Sequence, residues 1–155
     1  MRKRLIGSNE PALREEGWLD ADTVAQIEVS SEDPAYPIEG ALKQATGRGW
    51  RASQSGEQVI RVLFDEPRRL RRIRLVFHEA DESRTQEVVL RWSSDLGESY
   101  RDVVRQQYNF SPPGTSDEVE DYRVDLDGVT SLEVRIVPDI RGGEVCASLK
   151  ELRLA

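Results

Sequence analysis

Apolar residues recur at every second position over most of this chain. In 70–79 (L-R-R-I-R-L-V-F-H-E), Ile73, Leu75 and Phe77 share one parity, and Arg72, Arg74 and His78 the other. In 86–95, Val88, Leu90 and Trp92 stand opposite Glu87 and Arg91. A period of two sends alternate side chains to opposite faces, so each run reads as a strand with one apolar and one wetted face. The same rule predicts strands at 24–30, with Ala25, Ile27 and Val29 on one face, and at 57–64, where Ile60, Val62 and Phe64 alternate with Arg61 and Leu63. It predicts others at 100–105, at 119–126 with Tyr122, Val124 and Leu126 inward, at 131–137 with Leu132, Val134 and Ile136 inward, and at 148–154.

Turn residues separate these runs: Asp65-Glu66-Pro67, Leu96-Gly97 and Asp127-Gly128. Longer polar stretches at 31–37, 106–117 and 138–145 read as loops, and the twelve-residue length of 106–117 marks it as a functional candidate. Glycines at 40, 47 and 49 argue against a long regular element in 38–53. About eight short strands with almost no helical period predict an all-β fold, an antiparallel β-sandwich of jelly-roll type. Residues 1–20 read as an N-terminal arm, with a short helix at 11–16, and 21–155 as one domain. Trp18 is expected to seal one end of the core.

At 155 residues a single domain can bury a substantial core. A net charge of −7 disfavours broad binding to nucleic acid or to anionic membranes. One cysteine, Cys146, excludes an internal disulfide, and one Cys with one His leaves the usual zinc ligand sets incomplete. The basic start Met-Arg-Lys-Arg is followed by no apolar core of a signal peptide, and no run is long enough for a membrane helix, so the cytoplasm is the expected compartment.

Two constellations invite a sharper reading and lose it. The arginines at 68, 69, 71, 72 and 74 suggest phosphate or nucleic acid. Yet alternation turns Arg72 and Arg74 outward toward Glu87 and Arg91, acidic Asp125 and Glu133 lie on other strands, and no aromatics interleave for stacking. Cross-strand ion pairs explain them. His78 near Ser83 and Asp81 lacks a nucleophile motif such as Gly-x-Ser-x-Gly, so no enzyme activity is expected.

The order of several short segments carries a resemblance. Ile-Glu-Gly at 38–40 precedes Gly-Trp-Arg-Ala-Ser at 49–53 and the strand ending Phe-Asp-Glu-Pro at 64–67. Leu-Arg-Arg-Ile-Arg-Leu at 70–75, Val-Val-Leu-Arg-Trp-Ser-Ser-Asp-Leu-Gly-Glu-Ser-Tyr at 88–100, Leu-Glu-Val-Arg-Ile at 132–136 and Ser-Leu-Lys-Glu-Leu-Arg-Leu at 148–154 follow. Over 24–154 this order resembles the discoidin family, the coagulation-factor C-type domains and related carbohydrate-binding modules on the galactose-binding-like jelly roll. Tyr100 stands where the family often has Trp, Leu96-Gly97 replaces its Asp-Gly, and the disulfide of many extracellular members is absent.

The resemblance implies a non-catalytic binding module that uses variable loops at one end of the sandwich, with a carbohydrate or a protein as partner. Sugar recognition needs planar hydrogen-bonding forks and an aromatic face. The candidates are His78, Glu79 and Arg84 around the loop between the central strands, Tyr108, Asn109 and Phe110 on 106–117, and Arg141. The plainer alternative makes His78 a solvent-facing strand end and pairs Arg84 with Asp81 or Glu82. The resemblance also implies a structural calcium at Glu39 and Glu151, with carbonyls from 43–46; Glu-Gly-Ala in place of Asp-Gly-Asp removes one oxygen, which favours a metal-free loop held by hydrogen bonds. No other cofactor is expected. The second functional reading is an intracellular protein–protein adaptor, favoured by the missing leader. An aromatic-lined groove with polar forks would mark a sugar site, and a flat exposed apolar patch a protein partner.

Overall fold

The computed structural model describes residues 17–43 and 48–155. The expected helix at 11–16 and most of the arm lie outside them, as do residues 44–46 of the calcium expectation. Alternation makes most of the strands as anticipated, but the strand at 50–55 is not one the pattern predicts, and the single run expected at 148–154 is split into two strands that join different sheets. The strands are β1 (Ala25–Val29), β2 (Trp50–Ser55), β3 (Gln58–His78), β4 (Arg84–Ser93), β5 (Arg101–Phe110), β6 (Asp117–Val137), β7 (Cys146–Leu149) and β8 (Glu151–Leu154). Two single-turn helices, α1 (Ala21–Val24) and α2 (Glu39–Leu42), fill links between strands.

The architecture is the antiparallel β-sandwich that the pattern implied, built in an unexpected way. β3 and β6 are each twenty-one residues long and run through both layers. Residues 58–63 of β3 pair with β1 and with 131–136 of β6, and β4 and β5 continue that layer. Residues 70–78 of β3 pair with 117–126 of β6 and with β8, which makes the second layer. The turns expected at 65–67 and 127–128 are therefore bends inside continuous strands. Pro67 and Gly128 (φ +69°) lie at this bend, where the register of the two strands shifts. Proline and glycine interrupt a strand when the chain must reverse, but they also mark bulges where two paired strands bend together.

A second correction concerns the central runs. β3 and β4 are consecutive but not paired; residues 79–83 carry the chain from one layer to the other. Arg72 and Arg74 consequently meet Asp121 and Glu151 rather than Glu87 and Arg91. Arg69 pairs with Asp125 as the charge pattern suggested. Glu133 instead lies buried under Arg61, Arg91 and Arg135.

Inward residues of both layers form one core, including Ile60, Val62, Leu75, Phe77, Leu90 and Val134. Phe77 meets Tyr108 of the opposite layer with ring centroids 5.7 Å apart, and the Tyr122 hydroxyl donates to Gln106 across the gap. Trp18 is half-buried beneath Arg72, and the Leu19 amide beside it donates to the Leu154 carbonyl, closing one side of the sandwich. No helix among the described residues is long and apolar enough to cross a membrane.

Candidate functional site

One end of the sandwich is built from five short segments. β2 carries Trp50 inward and Arg51 outward, by simple alternation. Antiparallel pairing sets Arg51 opposite Ser148 of β7. The link after β7 is held by the Lys150 amide donating to the Val76 carbonyl, which keeps Lys150 beside the end of β3 and its last residue, His78. A turn delivers Tyr36: the Tyr36 amide donates to the Asp33 carbonyl, and the Ala35 amide to Asp33 Oδ1. That turn is pinned to β2 from both sides, since the Asp33 amide donates to the Arg51 carbonyl and the Arg51 amide to the Tyr36 carbonyl. The result puts the Arg51 guanidinium over the Tyr36 ring, 4.6 Å from its centroid.

Gly49 makes this approach possible. Its φ is +73°, and a Cβ there would lie 2.6 Å from the Leu149 carbonyl oxygen and 2.7 Å from Lys150 Cα. Only a residue without a side chain lets β2 start so close to the β7–β8 link.

These segments enclose a groove of two joined hollows, about 220 and 180 Å³, which share Arg51, His78 and Ser148 as lining. Tyr36, Arg48, Trp50 and Lys150 line the smaller. Glu79, Asp81, Glu82 and Glu144 line the larger, with Val145 and Cys146 at its wall. His78 Nδ1 lies 2.6 Å from Asp117 Oδ1, which orients the ring and leaves Nε2 without a partner among the described residues. The same contact holds the Asp117 carboxyl below the usual carboxylate range.

Of the expected ligand residues, His78 and Glu79 stand at this groove. Arg84 lies beneath it. Its side chain is 1% exposed, and it donates to Glu79 Oε1 (2.7 Å), Gln86 Oε1 (2.6 Å) and the Pro138 carbonyl (2.7 Å). Burial pushes the Glu79 carboxyl up, but hydrogen bonds from Arg84 and from the Asp81 amide outweigh it and hold the group below its ordinary value. Arg84 thus fixes Glu79 from inside, and its partner is neither Asp81 nor Glu82.

The expected loop at 106–117 is corrected: its first five residues belong to β5. Phe110 is buried under the Arg84 guanidinium, 4.8 Å away, and edge-on to Tyr108 at 5.5 Å. Tyr108 accepts a hydrogen bond from Gln86, and burial drives its hydroxyl pKa far up. Asn109 is exposed on β5 and accepts from the Thr85 hydroxyl. Arg141 is exposed and folded back on Asp139 at 3.3 Å. None of these four lines the groove. Alternation within β5 turns Tyr108 and Phe110 inward, and a loop reading concealed that.

Tyr36, Arg51 and Lys150 were not singled out from the sequence. Arg51 carried the best signal, as the outward residue beside an inward Trp50. No local pattern announces that 36, 51 and 150 meet.

Of the residues implied for calcium, the carbonyls of 44–46 lie outside the described residues, and the two carboxylates are placed as follows. The Arg153 guanidinium, 12% exposed, donates to the Leu42 carbonyl at 2.7 Å and to Glu151 Oε1 at 3.1 Å, while Arg74 lies 4.0 Å from the same oxygen. Glu39 stands exposed on α2. A fixed positive charge thus already pairs with the Glu151 carboxylate and holds the Leu42 carbonyl beside it. Among the described residues no group of three or more acidic, His or Cys side chains is placed to hold an ion.

A two-layer antiparallel sandwich with a polar, aromatic-edged groove at one end has the form of a ligand-binding module. The F5/8 type C domain model matches residues 26–152, and the chain belongs to that family. No curated protein sequence matches it. Among solved structures it is similar to a family 32 carbohydrate-binding module of Clostridium perfringens in complex with GalNAc-β-1,3-galactose, with TM-score 0.67 and 14% identity over 89% of this chain and 99% of that one. The family 32 module of NanJ from the same organism, in complex with galactose, gives TM-score 0.64 and 12% identity over 88% and 96%. The module of AlyQ in complex with 4,5-unsaturated mannuronic acid gives 0.55 and 18% over 85% and 95%. At these identities the likeness establishes the shared fold.

Proposed function

We propose that this chain is a non-catalytic carbohydrate-binding module and that the Tyr36–Arg51–His78 groove is its site. The observation that carries the reading is the convergence of one aromatic ring, an arginine fork and an imidazole edge on one concavity. A sugar ring presents C–H groups on its face and hydroxyls at its rim; an aromatic side chain receives the first, and planar or directional donors the second. The family and the sugar complexes of its structural neighbours support the same reading. A protein partner would instead need a contiguous apolar patch. The large exposed apolar side chains among the described residues, Leu96, Val119 and Ile140, lie on three separate segments and none lines the groove.

The test is a glycan-array screen of the purified protein beside Arg51→Ala and His78→Ala. Both side chains are exposed, so the variants should melt with the parent. Binding to a defined set of glycans that falls at least tenfold in both variants supports the site. Binding unchanged in both would move the site elsewhere, and an array with no bound glycan would remove the carbohydrate reading.

A further inference from the structure

The second layer ends in an open edge. Residues 117–126 of β6 pair with β3 on one side and with no described strand on the other, because β4 reaches β6 only at 131–137. The direction of the free backbone groups follows from β3. The Arg72 amide and carbonyl are taken by Ala155 and the Val76 carbonyl by the Lys150 amide, all on the β8 side. The residues of β6 opposite 72, 74, 76 and 78 therefore turn their own amides and carbonyls away from β3. These are Arg123, Asp121, Val119 and Asp117, a ladder of donors and acceptors open to another strand. Between them Glu118, Glu120, Tyr122 and Val124 point inward and stay only partly buried. The Glu118 and Glu120 carboxyls share a hydrogen bond, and no cation of the described residues pairs with either. The other long free edge, β5, has Val104, Gln106 and Tyr108 at its inward positions and no charge among them.

We propose that the 117–124 edge of β6 is a docking surface for an extended basic segment of a partner protein, which adds as an antiparallel strand and sets lysine or arginine opposite Glu118 and Glu120. Strand addition draws its affinity from main-chain hydrogen bonds and its specificity from alternate side chains, so it needs no contiguous apolar patch. Opposite Glu118 and Glu120 the added strand makes non-hydrogen-bonded pairs, where side chains across a ladder stand closest. A cation there offsets the repulsion of two neighbouring carboxylates, and apolar residues opposite Tyr122 and Val124 extend the covered core. A second copy of this chain fits poorly. The edge holds Asp117, Glu118, Glu120, Asp121 and Asp125 against one arginine, Arg123, so self-pairing sets acid beside acid. Residues 118–124 do not line the groove, so this surface is separate from the proposed sugar site.

The probe is a synthetic peptide in which threonine alternates, from the N-terminus, with valine, valine, lysine and lysine, titrated against the full chain by fluorescence anisotropy. Binding should weaken at least about tenfold when glutamate replaces both lysines. The Glu118→Gln, Glu120→Gln double variant should bind the lysine peptide about tenfold more weakly than the parent does, the equivalent of two partly exposed ion pairs. N-methylation of the threonine amides should abolish binding, because it removes the donors that face β6 and leaves the charge unchanged. Val119→Pro should do the same from the protein side. The Val119 amide is not used by β3, so proline is tolerated there, and the melting temperature and glycan binding should hold. If that variant fails to fold, the methylated peptide decides alone. Undiminished binding of the methylated peptide would reduce the contact to adsorption by charge and overturn strand addition. Equal binding of the lysine and glutamate peptides overturns the basic partner, and no binding of the lysine peptide overturns the docking surface. A dimer in sedimentation velocity that Val119→Pro disperses would assign the edge to a second copy and overturn the proposal.

Discussion

Replacing Arg84 with leucine separates a structural side chain from a ligand contact. In the folded protein its guanidinium satisfies Glu79, Gln86 and the Pro138 carbonyl at 2.6–2.7 Å, in a place where the arginine itself is almost wholly buried. Leucine fills part of the volume but donates nothing. Three acceptors then lose their donor, and each unsatisfied buried group costs about 1–3 kcal/mol. Glu79 is 15% exposed and keeps the Asp81 amide, which softens its share. Breaking a buried pair from one side typically costs about 3–5 kcal/mol, and we expect Arg84→Leu near the lower figure. Arg84→Lys should cost less, because an ammonium keeps the charge but cannot reach three acceptors in one plane.

The sign of the pH dependence follows from Glu79. Its folded carboxyl titrates below its ordinary 4.5, so its contribution is fully present above that value and is lost as pH falls through the folded pKa. Without Arg84, burial is opposed only by the Asp81 and Glu82 amides, so the carboxyl titrates higher than in the parent, and the variant is penalised at neutral pH and relieved in acid. Urea denaturation at pH 7.5 and at pH 3.5 should show the gap between parent and variant narrowing in acid. Two results would refute the reasoning. One is a variant within about 0.5 kcal/mol of the parent, the range of an ordinary surface substitution. The other is glycan binding lost with stability untouched, which would return Arg84 to the ligand.

Three further outcomes are expected. Burial and a hydrogen bond with Glu118 push the Glu120 carboxyl up to about 7, so the fold prefers it protonated; stability from this pair is present below pH 4.5 and declines as pH rises toward 7. Glu120→Gln should accordingly raise the melting temperature at pH 8 and leave it unchanged at pH 4, by about 1 kcal/mol at most once solvent screening is allowed for, as read by differential scanning calorimetry. Arg153→Ala should destabilise by about 2 kcal/mol by stranding the Leu42 carbonyl and the Glu151 carboxylate, whereas a chelator should leave the parent's melting temperature unmoved; a drop of several degrees with chelator would mean that an ion does what we assign to Arg153. Gly49→Ala should cost at least about 2 kcal/mol, because it adds left-handed strain to a backbone clash, and should weaken glycan binding as β2 moves off the β7–β8 link. Thermal melts beside the array read both.

The amino-acid order alone determined the layer architecture. A period of two over most of the chain leaves no stable solution except strands packed apolar face to apolar face, and Ile60, Val62, Leu75, Phe77, Leu90 and Val134 occupy the core as their parity requires. It also placed His78 at an exposed strand end. Pairing was beyond it. Local sequence at Pro67 and Gly128 is equally consistent with a reversal and with a bend, and only the partner strand, bulging at the same place, decides between them. The same ambiguity hid Tyr108 and Phe110, which are polar-loop residues by composition and inward residues by position.

The groove belongs wholly to the tertiary structure. Tyr36, Arg51 and Lys150 are separated by up to more than a hundred positions and carry no motif. They meet because β2 pairs with β7 and because Gly49 lets the two backbones touch. Likewise the Leu42 carbonyl and Glu151 attract a cation by chemistry, but whether that cation is an ion or a guanidinium depends on where β8 sets Arg153. Periodicity is a local property and sequence carries it. Convergence is set by register between distant strands, and only the packed sandwich holds that information.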